Sequence, residues 1–185
     1  MFTTHVKNYI SKIDNVFNNA NIANIEILAN MMLGAIDTKK KLFIFGNGGS
    51  AGNAIHLAND FIYGAGKNHS KGLNIESLSA NPAVINCLAN DISYDDIYSE
   101  QIRVKGSKDD IVIALSGSGN SRNITKAIEI SNKMELKTFA ILGYDGGIVK
   151  ELTDYPIHFS VNDMQISEDL QLMVGHICMQ WIVEN

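Results

Sequence analysis

The hydrophobic positions near the N-terminus follow helical spacing. Apolar residues recur every three or four positions at Val6, Ile10, Ile13 and Phe17. The segment 24–36 ("NIEILANMMLGAI") repeats this pattern with a broader apolar face. The periodicity predicts two leading helices within residues 1–38.

A different pattern begins after residue 38. Short apolar or β-branched runs predict five strands, at 41–45, 72–79, 110–116, 137–143 and 156–161. Helical segments fall between them, at about 50–63, 81–104 (with a break near Asn90 and Asp91), 121–134 and 146–152, and a last helix at about 165–184. Strands alternating with helices indicate an α/β fold with three αβα layers, in which helices cover both faces of a parallel sheet.

The chain shows no linker, internal repeat or low-complexity tract. It is therefore predicted to form one domain over residues 1–185. Within it, residues 1–38 form the N-terminal helical pair, and residues 39–185 form the αβα core with its C-terminal helix.

Composition narrows the range of partners. The net charge of −5 argues against nucleic acid as a binding partner, because proteins usually bind its phosphates through clustered Lys and Arg. No apolar run approaches the ~20 residues that a membrane-spanning helix needs, and the N-terminus lacks the pattern of a signal peptide. Cys87 and Cys178 both lie in apolar segments and are expected to be buried free thiols. We expect a cytoplasmic protein.

Two strand ends carry loops of similar chemistry. After the first strand comes "GNGGS" (46–50), and after the third comes "SGSGNS" (116–121). Glycines allow close backbone approach, and serine hydroxyls with helix N-terminal amides can bind an anion, here a phosphate monoester. The alternative is that Ser50 and Ser121 only cap helices. Neither loop is a P-loop, because no Lys follows the glycines.

Histidines and carboxylates recur on two predicted helices. His56 and Asp60 are four residues apart, so they share one helix face and could reach one metal ion or one substrate carbon. Glu168, Asp169 and His176 lie on the last helix. Taken singly, each histidine is an ordinary core or surface residue more often than a ligand. Together with a phosphate site, they favour proton transfer or metal binding.

Five motifs resemble one family in order along the chain. "FGNGGSAGNAIHLAND", "ANDISYDDIYSEQ", "ALSGSGNSRNITKAI", "GYDGGIVKEL" and "ISEDLQLMVGH" are similar to the sugar isomerase (SIS) domain of the phosphoheptose isomerases. The resemblance runs from about residue 40 to the C-terminus, and the two leading helices also match. It implies a flavodoxin-like SIS fold and the interconversion of sedoheptulose 7-phosphate and D-glycero-D-manno-heptose 7-phosphate through an enediol, for bacterial surface-glycan synthesis.

The resemblance also implies site residues. Those implied to bind substrate, together with the neighbouring Ser50 and Gly117, are Asn47, Gly48, Gly49, Asn90, Asp91, Ser116, Ser118 and Ser121. Those implied to bind zinc, one ion per active site, are His56, Asp60, Glu168 and His176. Two positions depart from the family, which has Glu in place of Asp60 and Gln in place of Glu168.

These departures raise the question of which group is the base. In the family the helix-borne Glu is the base and the C-terminal His is its acid–base partner. Asp60 is one methylene shorter, so we hypothesise that Glu168 shares or takes over the base role while Asp60 binds the metal or orients a neighbour. The candidate catalytic residues are therefore Asp60, Glu168 and His176. Glu168 and His176 lie about 12 Å apart along a straight helix, so either the long side chains lean inward or different subunits contribute.

Other interpretations remain open. The chain could isomerise a different phosphosugar, or be a non-catalytic SIS protein that senses sugar phosphates or binds the replication initiator DnaA. The retained histidines and carboxylates favour an enzyme. The apolar second helix and the end around Trp181 suggest self-association, and the resemblance implies a homotetramer with active sites at subunit interfaces.

Overall fold

The structure is a computed structural model that describes residues 1–66 and 72–185. Its strands are β1 (Leu42–Gly46), β2 (Ile75–Ser77), β3 (Ile111–Ser116), β4 (Lys137–Leu142) and β5 (Tyr155–His158). Its helices are α1 (Phe2–Asn18), α2 (Ala23–Thr38), α3 (Gly49–Tyr63), α4 (Pro82–Asp91), α5 (Ser99–Lys105), α6 (Arg122–Lys133), α7 (Gly147–Leu152) and α8 (Met164–Glu184), with a 3₁₀ turn at Tyr94–Asp96. The predicted α/β fold with two leading helices is confirmed.

The five strands form one parallel sheet in the order β2-β1-β3-β4-β5. In register, Ile44 of β1 pairs with Ile113 of β3, and Ile113 pairs with Phe139 of β4. The chain enters the sheet at β1, moves outward to β2 and then returns past β1 to β3. Helices after β1 and β3 therefore leave toward opposite faces, which creates a crevice between the two strand ends.

Side-chain alternation along the strands divides the core into two layers. Leu42 and Ile44 point to the layer under α2, α3 and α8, whereas Phe43 and Phe45 point to the layer under α5 and α6. Because a strand alternates its side chains between faces, a continuous apolar run can serve both layers. All five residues of β1 are buried accordingly.

Helix α1 is anchored to the start of α8 by polar contacts. The Tyr9 hydroxyl donates to Asp169 Oδ2 at 2.5 Å, and Lys12 Nζ donates to Asp163 Oδ2 at 2.8 Å. The hydrogen bond to Asp169, assisted by partial burial, raises the pKa of Tyr9 to about 12. Lys12, together with the Ile166 amide, lowers the pKa of Asp163. No residue of α1 is fully buried, so these contacts and a partly buried apolar stripe hold the helix in place.

The predicted break in segment 81–104 is confirmed, and its cause is local. Asn81 caps α4 by accepting from the amides of Ala83 and Val84, with Pro82 at the first helical position. The helix ends at Asp91, and Ser93 caps the 3₁₀ turn that leads into α5. The predicted strand 72–79 is shorter in the structure, where only Ile75–Ser77 pair with β1.

One expectation about the cysteines is wrong. Cys178 is buried in the α8 layer, and burial raises the pKa of its thiol to about 12. Cys87 is instead exposed, because its side of the short helix α4 faces away from the sheet. Its thiol donates to Asp91 Oδ2, and this hydrogen bond raises its pKa. Among residues 1–66 and 72–185, no helix combines the length and apolarity that crossing a bilayer requires.

Candidate active site

The crevice between the ends of β1 and β3 is the position where open parallel sheets bind ligands. It contains a cleft of about 270 Å³. The residues that line this cleft, called here the switch-point cleft, are Asn47, Gly48, Gly49, Ser50, Leu115, Ser116, Gly117, Ser118, Ser121, Met164 and Glu168. Both predicted loops thus contribute to one site, together with the first two turns of α8.

The second loop presents three serines to the cleft. Ser116 is buried, and its Oγ accepts a hydrogen bond from the Gly119 amide, which closes the loop on itself. Gly119 has a φ of +65°, and a Cβ there would collide with the carbonyl of Gly146. Ser121 precedes α6 without a side-chain cap hydrogen bond, so its hydroxyl is not committed to the helix. The arrangement places hydroxyls beside the unpaired amides of a helix N-terminus, which suits an oxyanion.

The first loop depends on the conformation of Gly48. Its φ of +56° and ψ of −122° are strongly disfavoured for residues with a side chain. This turn starts α3 directly over the cleft. Ser50 is buried there, and its Oγ accepts from Gln171 Nε2 at 3.0 Å. Part of the Ser50 hydroxyl's hydrogen-bonding capacity is therefore used to hold α8 against α3.

Asn47 is paired with a residue of the opposite loop region. Its Nδ2 donates to Asn123 Oδ1, and Asn123 Nδ2 donates back to Asn47 Oδ1, both at 2.9 Å. The hydroxyls of Tyr94 and Tyr98 also lie 3.3 Å from Asn47 Oδ1. Tyr98 is buried, which raises its pKa, and its main hydrogen bond goes to the Gly46 carbonyl.

Glu168 lies at the cleft, in contact with the first turn of α3. A side chain at Gly49 would overlap its carboxylate. Its backbone is fixed from α3, since Asn53 Nδ2 donates both to the Glu168 carbonyl and to Gln171 Oε1, each at 3.0 Å. The carboxylate is therefore directed toward the space above the two loops of the switch-point cleft.

His56, Asp60 and His176 converge on one point, and we call them the His–Asp–His triad. The two histidine Nε2 atoms are 3.2 Å apart, and Asp60 Oδ2 lies 3.4 Å from His56 and 3.5 Å from His176. The imidazole rings meet edge to face at 85°. Nearly half of each histidine side chain is exposed, at 49% and 45%. The predicted convergence of imidazole and carboxylate from two helices is present.

The triad suits a zinc ion in both chemistry and spacing. A tetrahedral zinc with nitrogen and oxygen ligands at about 2.0–2.1 Å has neighbouring ligands roughly 3.3–3.4 Å apart. The three edges of the triad, 3.2, 3.4 and 3.5 Å, bracket that value. Three protein ligands with one open position is the pattern of catalytic zinc.

Glu168 is not part of this group of potential ligands. It precedes His176 by eight residues, about 12 Å along the helix axis, and its carboxylate faces the switch-point cleft instead. Within one chain, the structure brings together three of the four predicted zinc ligands.

Asn90 and Asp91 belong neither to the switch-point cleft nor to the His–Asp–His triad. They end α4 on the surface, where Asn90 Nδ2 donates to Asp91 Oδ1 at 2.8 Å. Neither residue lines the switch-point cleft. Of the predicted substrate-binding residues, the other eight do line it: Asn47, Gly48, Gly49, Ser50, Ser116, Gly117, Ser118 and Ser121.

Sequence reasoning missed the residues that support the site. Asn53, Gln171, Asn123 and Tyr98 are polar groups that bond to the loops or to α8. Gln171 and Asn123 are almost fully buried, at 1% and 2% exposure. The only sequence signal is a polar residue within an otherwise apolar helical stripe, and this signal does not identify the partner.

Comparisons with known proteins identify the family of the chain. A family model described as SIS domain matches residues 5–143. The phosphoheptose isomerase of Helicobacter pylori (strain P12) is 33% identical over 147 residues, covering 80% of this chain and 76% of that protein. The phosphoheptose isomerase of Thermodesulfovibrio yellowstonii is 34% identical over 162 residues, covering 88% of this chain and 80% of that protein.

A solved structure shows the same fold. The phosphoheptose isomerase from Francisella tularensis superposes with a TM-score of 0.88 at 22% identity and covers 100% of both chains. The family model spans most of the chain, and relatives of at least 30% identity extend over most of its length. The chain therefore belongs to the SIS domain family, among the phosphoheptose isomerases.

Proposed function

We propose that this protein is an aldose–ketose isomerase that converts sedoheptulose 7-phosphate to D-glycero-D-manno-heptose 7-phosphate. The observation that carries the proposal is that one chain combines an oxyanion site, at the N-termini of α3 and α6, with the His–Asp–His triad on α3 and α8. A pure sugar-phosphate sensor needs only the first of these. The curated relatives named above support the isomerase.

The phosphoryl group is proposed to bind at the second loop. Ser118 and Ser121 offer hydroxyls, and the first turn of α6 offers amides and the positive end of its dipole. The neighbouring Arg122 pairs with Asp95 at 3.0 Å, so neutral donors supply most of the contacts. Fixing the distant phosphoryl group positions the reacting carbons, which is how remote binding energy assists a reaction.

The triad is proposed to hold one zinc ion through His56 Nε2, Asp60 Oδ2 and His176 Nε2. A bound zinc ion would act as a Lewis acid toward the oxygens at the reacting end of the sugar. This assignment commits the Asp60 carboxylate to the metal site. Asp60 is then less available to accept a proton from carbon.

Glu168 is the proposed base. Its carboxylate faces the cleft where the sugar would lie, and it is not among the triad's ligand atoms. It would remove the proton next to the carbonyl to give a cis-enediol, and return it to the neighbouring carbon. The sequence predicts His176 as the acid–base partner of the base. Because the triad assignment commits His176 Nε2 to zinc, its proposed part in the reaction is to hold the ion beside the sugar oxygens.

A homotetramer with active sites at subunit interfaces is proposed for the assembly. The triad lies about two helical turns from the switch-point cleft of the same chain, and its histidines are half exposed. A second copy packed against this face would exclude water and could bring its own Glu168 carboxylate, as the base, beside a sugar held at the triad. This arrangement would place the base and the metal site in one active site although about 12 Å separates them along α8 of a single chain. We expect the enzyme to act in the cytoplasm, on phosphorylated sugars that feed surface glycans.

The proposal is tested with a panel of sugar phosphates. Purified protein, with and without added zinc, is offered sedoheptulose 7-phosphate and matched 6- and 5-phosphates, and the products are followed by NMR. Turnover of the 7-phosphate is expected, with zinc required. Zinc-loaded protein that binds the 7-phosphate but never converts it would favour a sensor. Preferred turnover of another phosphosugar would reassign the substrate and keep the reaction type.

A further inference from the structure

We propose that Asn123 is a positioning residue that sets the spacing between the two loops of the switch-point cleft. It does so through its paired amide with Asn47. The proposal rests on the proposed phosphate site at these loops. It assigns to Asn123 a part in substrate binding although the residue does not line the cleft.

The pair joins the two loops across the crevice. Asn47 directly follows β1, and Asn123 lies two residues beyond Ser121, at the start of α6. The two amides exchange both possible hydrogen bonds, each 2.9 Å long. A reciprocal pair of this kind fixes both the distance and the relative orientation of its partners, whereas a single hydrogen bond leaves rotation free.

Burial makes the pair costly to break. Asn123 is 2% exposed, and its Oδ1 also accepts from the Ile124 amide at 2.9 Å. Removing the Asn47 amide would leave the Asn123 amide with unpaired polar atoms away from water, at a cost of about 1–3 kcal/mol. The loops are therefore expected to keep the separation that satisfies both amides.

The Asn47 end of the pair is itself held. Tyr98 bonds the Gly46 carbonyl, and Ser79 Oγ donates to the same carbonyl at 3.0 Å. The Gly46 amide in turn donates to Ser79 Oγ at 3.3 Å. The backbone just before Asn47 is thus held in place, so a change at Asn123 would be transmitted to the residues after Asn47, namely Gly48 and the start of α3 at Gly49.

Loss of the Asn47–Asn123 pair is expected to affect binding of the phosphoryl group more than the rate of the chemical step. The amides and hydroxyls that would surround the phosphoryl group come from both loops, and hydrogen bonds weaken steeply when distance or angle departs from the optimum. Loss of the pair should therefore weaken phosphate binding. Glu168 and the triad are fixed by other contacts, through Asn53 and the packing of α8, so turnover of bound substrate should change little.

The test is a double-mutant cycle on binding of inorganic phosphate, measured by calorimetry with the full chain. Asn47→Leu and Asn123→Leu are close in size to asparagine and add no charge. Each single variant is expected to weaken phosphate binding about 10-fold, corresponding to roughly 1.4 kcal/mol. The double variant is expected to be no weaker than the weaker single variant, because both act through one pair. If the fold losses of phosphate affinity in the two single variants multiply in the double variant, the proposal is overturned.

A control on the same helix separates positioning from general damage. Asn132, near the other end of α6, donates to the Leu152 carbonyl at 2.7 Å. Asn132→Ala should lower stability without changing phosphate affinity, and an equal loss of affinity would contradict the proposal. With sedoheptulose 7-phosphate, Asn123→Leu should raise KM about 10-fold and change kcat less than about 3-fold.

Phosphate binding by a Tyr98→Phe variant and by the wild-type protein provides two further tests. If the leucine variants do not fold, Tyr98→Phe decides: weaker phosphate binding supports the pair as a held unit, and unchanged binding overturns it. Wild-type protein that does not bind phosphate would instead defeat the proposed phosphate site. That outcome is distinct from a wild type that binds phosphate and an Asn123→Leu variant that binds it equally well.

Discussion

Gly175 of α8 packs directly against the side chain of Leu57 of α3, with no room for a methyl group between them. Gly175 immediately precedes His176 in α8, and Leu57 immediately follows His56 in α3. The absence of a side chain at position 175 therefore lets the two helices approach closely enough for the histidine Nε2 atoms to lie 3.2 Å apart. The geometry of the triad depends on a glycine that carries no chemistry of its own.

Gly175→Ala should accordingly weaken the triad. The added methyl must displace Leu57, and overpacking of this kind costs about 1–3 kcal/mol, which outweighs the gain of up to about 1 kcal/mol from better helix propensity. The matched control is Gly52→Ala in α3, where a Cβ meets nothing within 4 Å. Urea unfolding should show Gly175→Ala destabilised and Gly52→Ala stabilised. Zinc affinity should fall only in the first, and equal behaviour of the two variants would contradict this account.

Removal of one histidine tests the proposed zinc site. His176→Ala leaves two of the three ligands, so we expect zinc to fall from about one ion per chain to trace levels after gel filtration. His5→Ala, at an exposed position of α1, provides the control and should retain zinc. Elemental analysis measures both. Full zinc occupancy in His176→Ala would exclude the triad as the binding site.

Separate substitutions distinguish the proposed metal-binding role of the Asp60 carboxylate from the proposed base role of the Glu168 carboxylate. Asp60→Asn should lose zinc together with activity. Glu168→Gln should keep zinc and lose kcat by about 10²-fold or more, because the amide cannot accept the proton. Zinc content and isomerase rate measured on the same samples decide between them. A Glu168→Gln enzyme that retains its full rate would remove Glu168 from the base role.

The contact between Tyr9 and Asp169 predicts a stability change at high pH. The pKa of Tyr9 is raised to about 12 mainly by its hydrogen bond to Asp169, so the folded state favours the neutral phenol. The resulting stabilisation is fully present below the ordinary tyrosine pKa of about 10 and is lost as pH rises from there toward 12. The stability difference between wild type and Tyr9→Phe should therefore shrink over this range.

A spectroscopic measurement checks the same contact. Titration of tyrosinate absorbance in Asp169→Asn, compared with wild type, should show one tyrosine shifted to lower pH, because its charged acceptor is gone. An unchanged titration curve would show that Asp169 does not control Tyr9. Near pH 7 neither variant should alter zinc content.

The sequence by itself determined the layers and the position of the cleft. Alternation of apolar strands and amphipathic helices predicted the parallel sheet, and the glycine- and serine-rich ends of β1 and β3 predicted the anion site. Both are local signals, because strand periodicity and turn chemistry are properties of neighbouring residues. The spacing of His56 and Asp60 is equally local, since one helical turn separates them.

Only the tertiary structure decided which distant groups meet. His56 and His176 are separated by 120 positions in sequence, and their contact follows from the packing of α3 on α8 at Gly175. The same packing directs Glu168 to the cleft instead of the triad. The pairing of Asn47 with Asn123 likewise depends on β1 and β3 being neighbours in the sheet. Spacing along one helix fixes a residue's face, but strand order and helix approach fix what that face contacts.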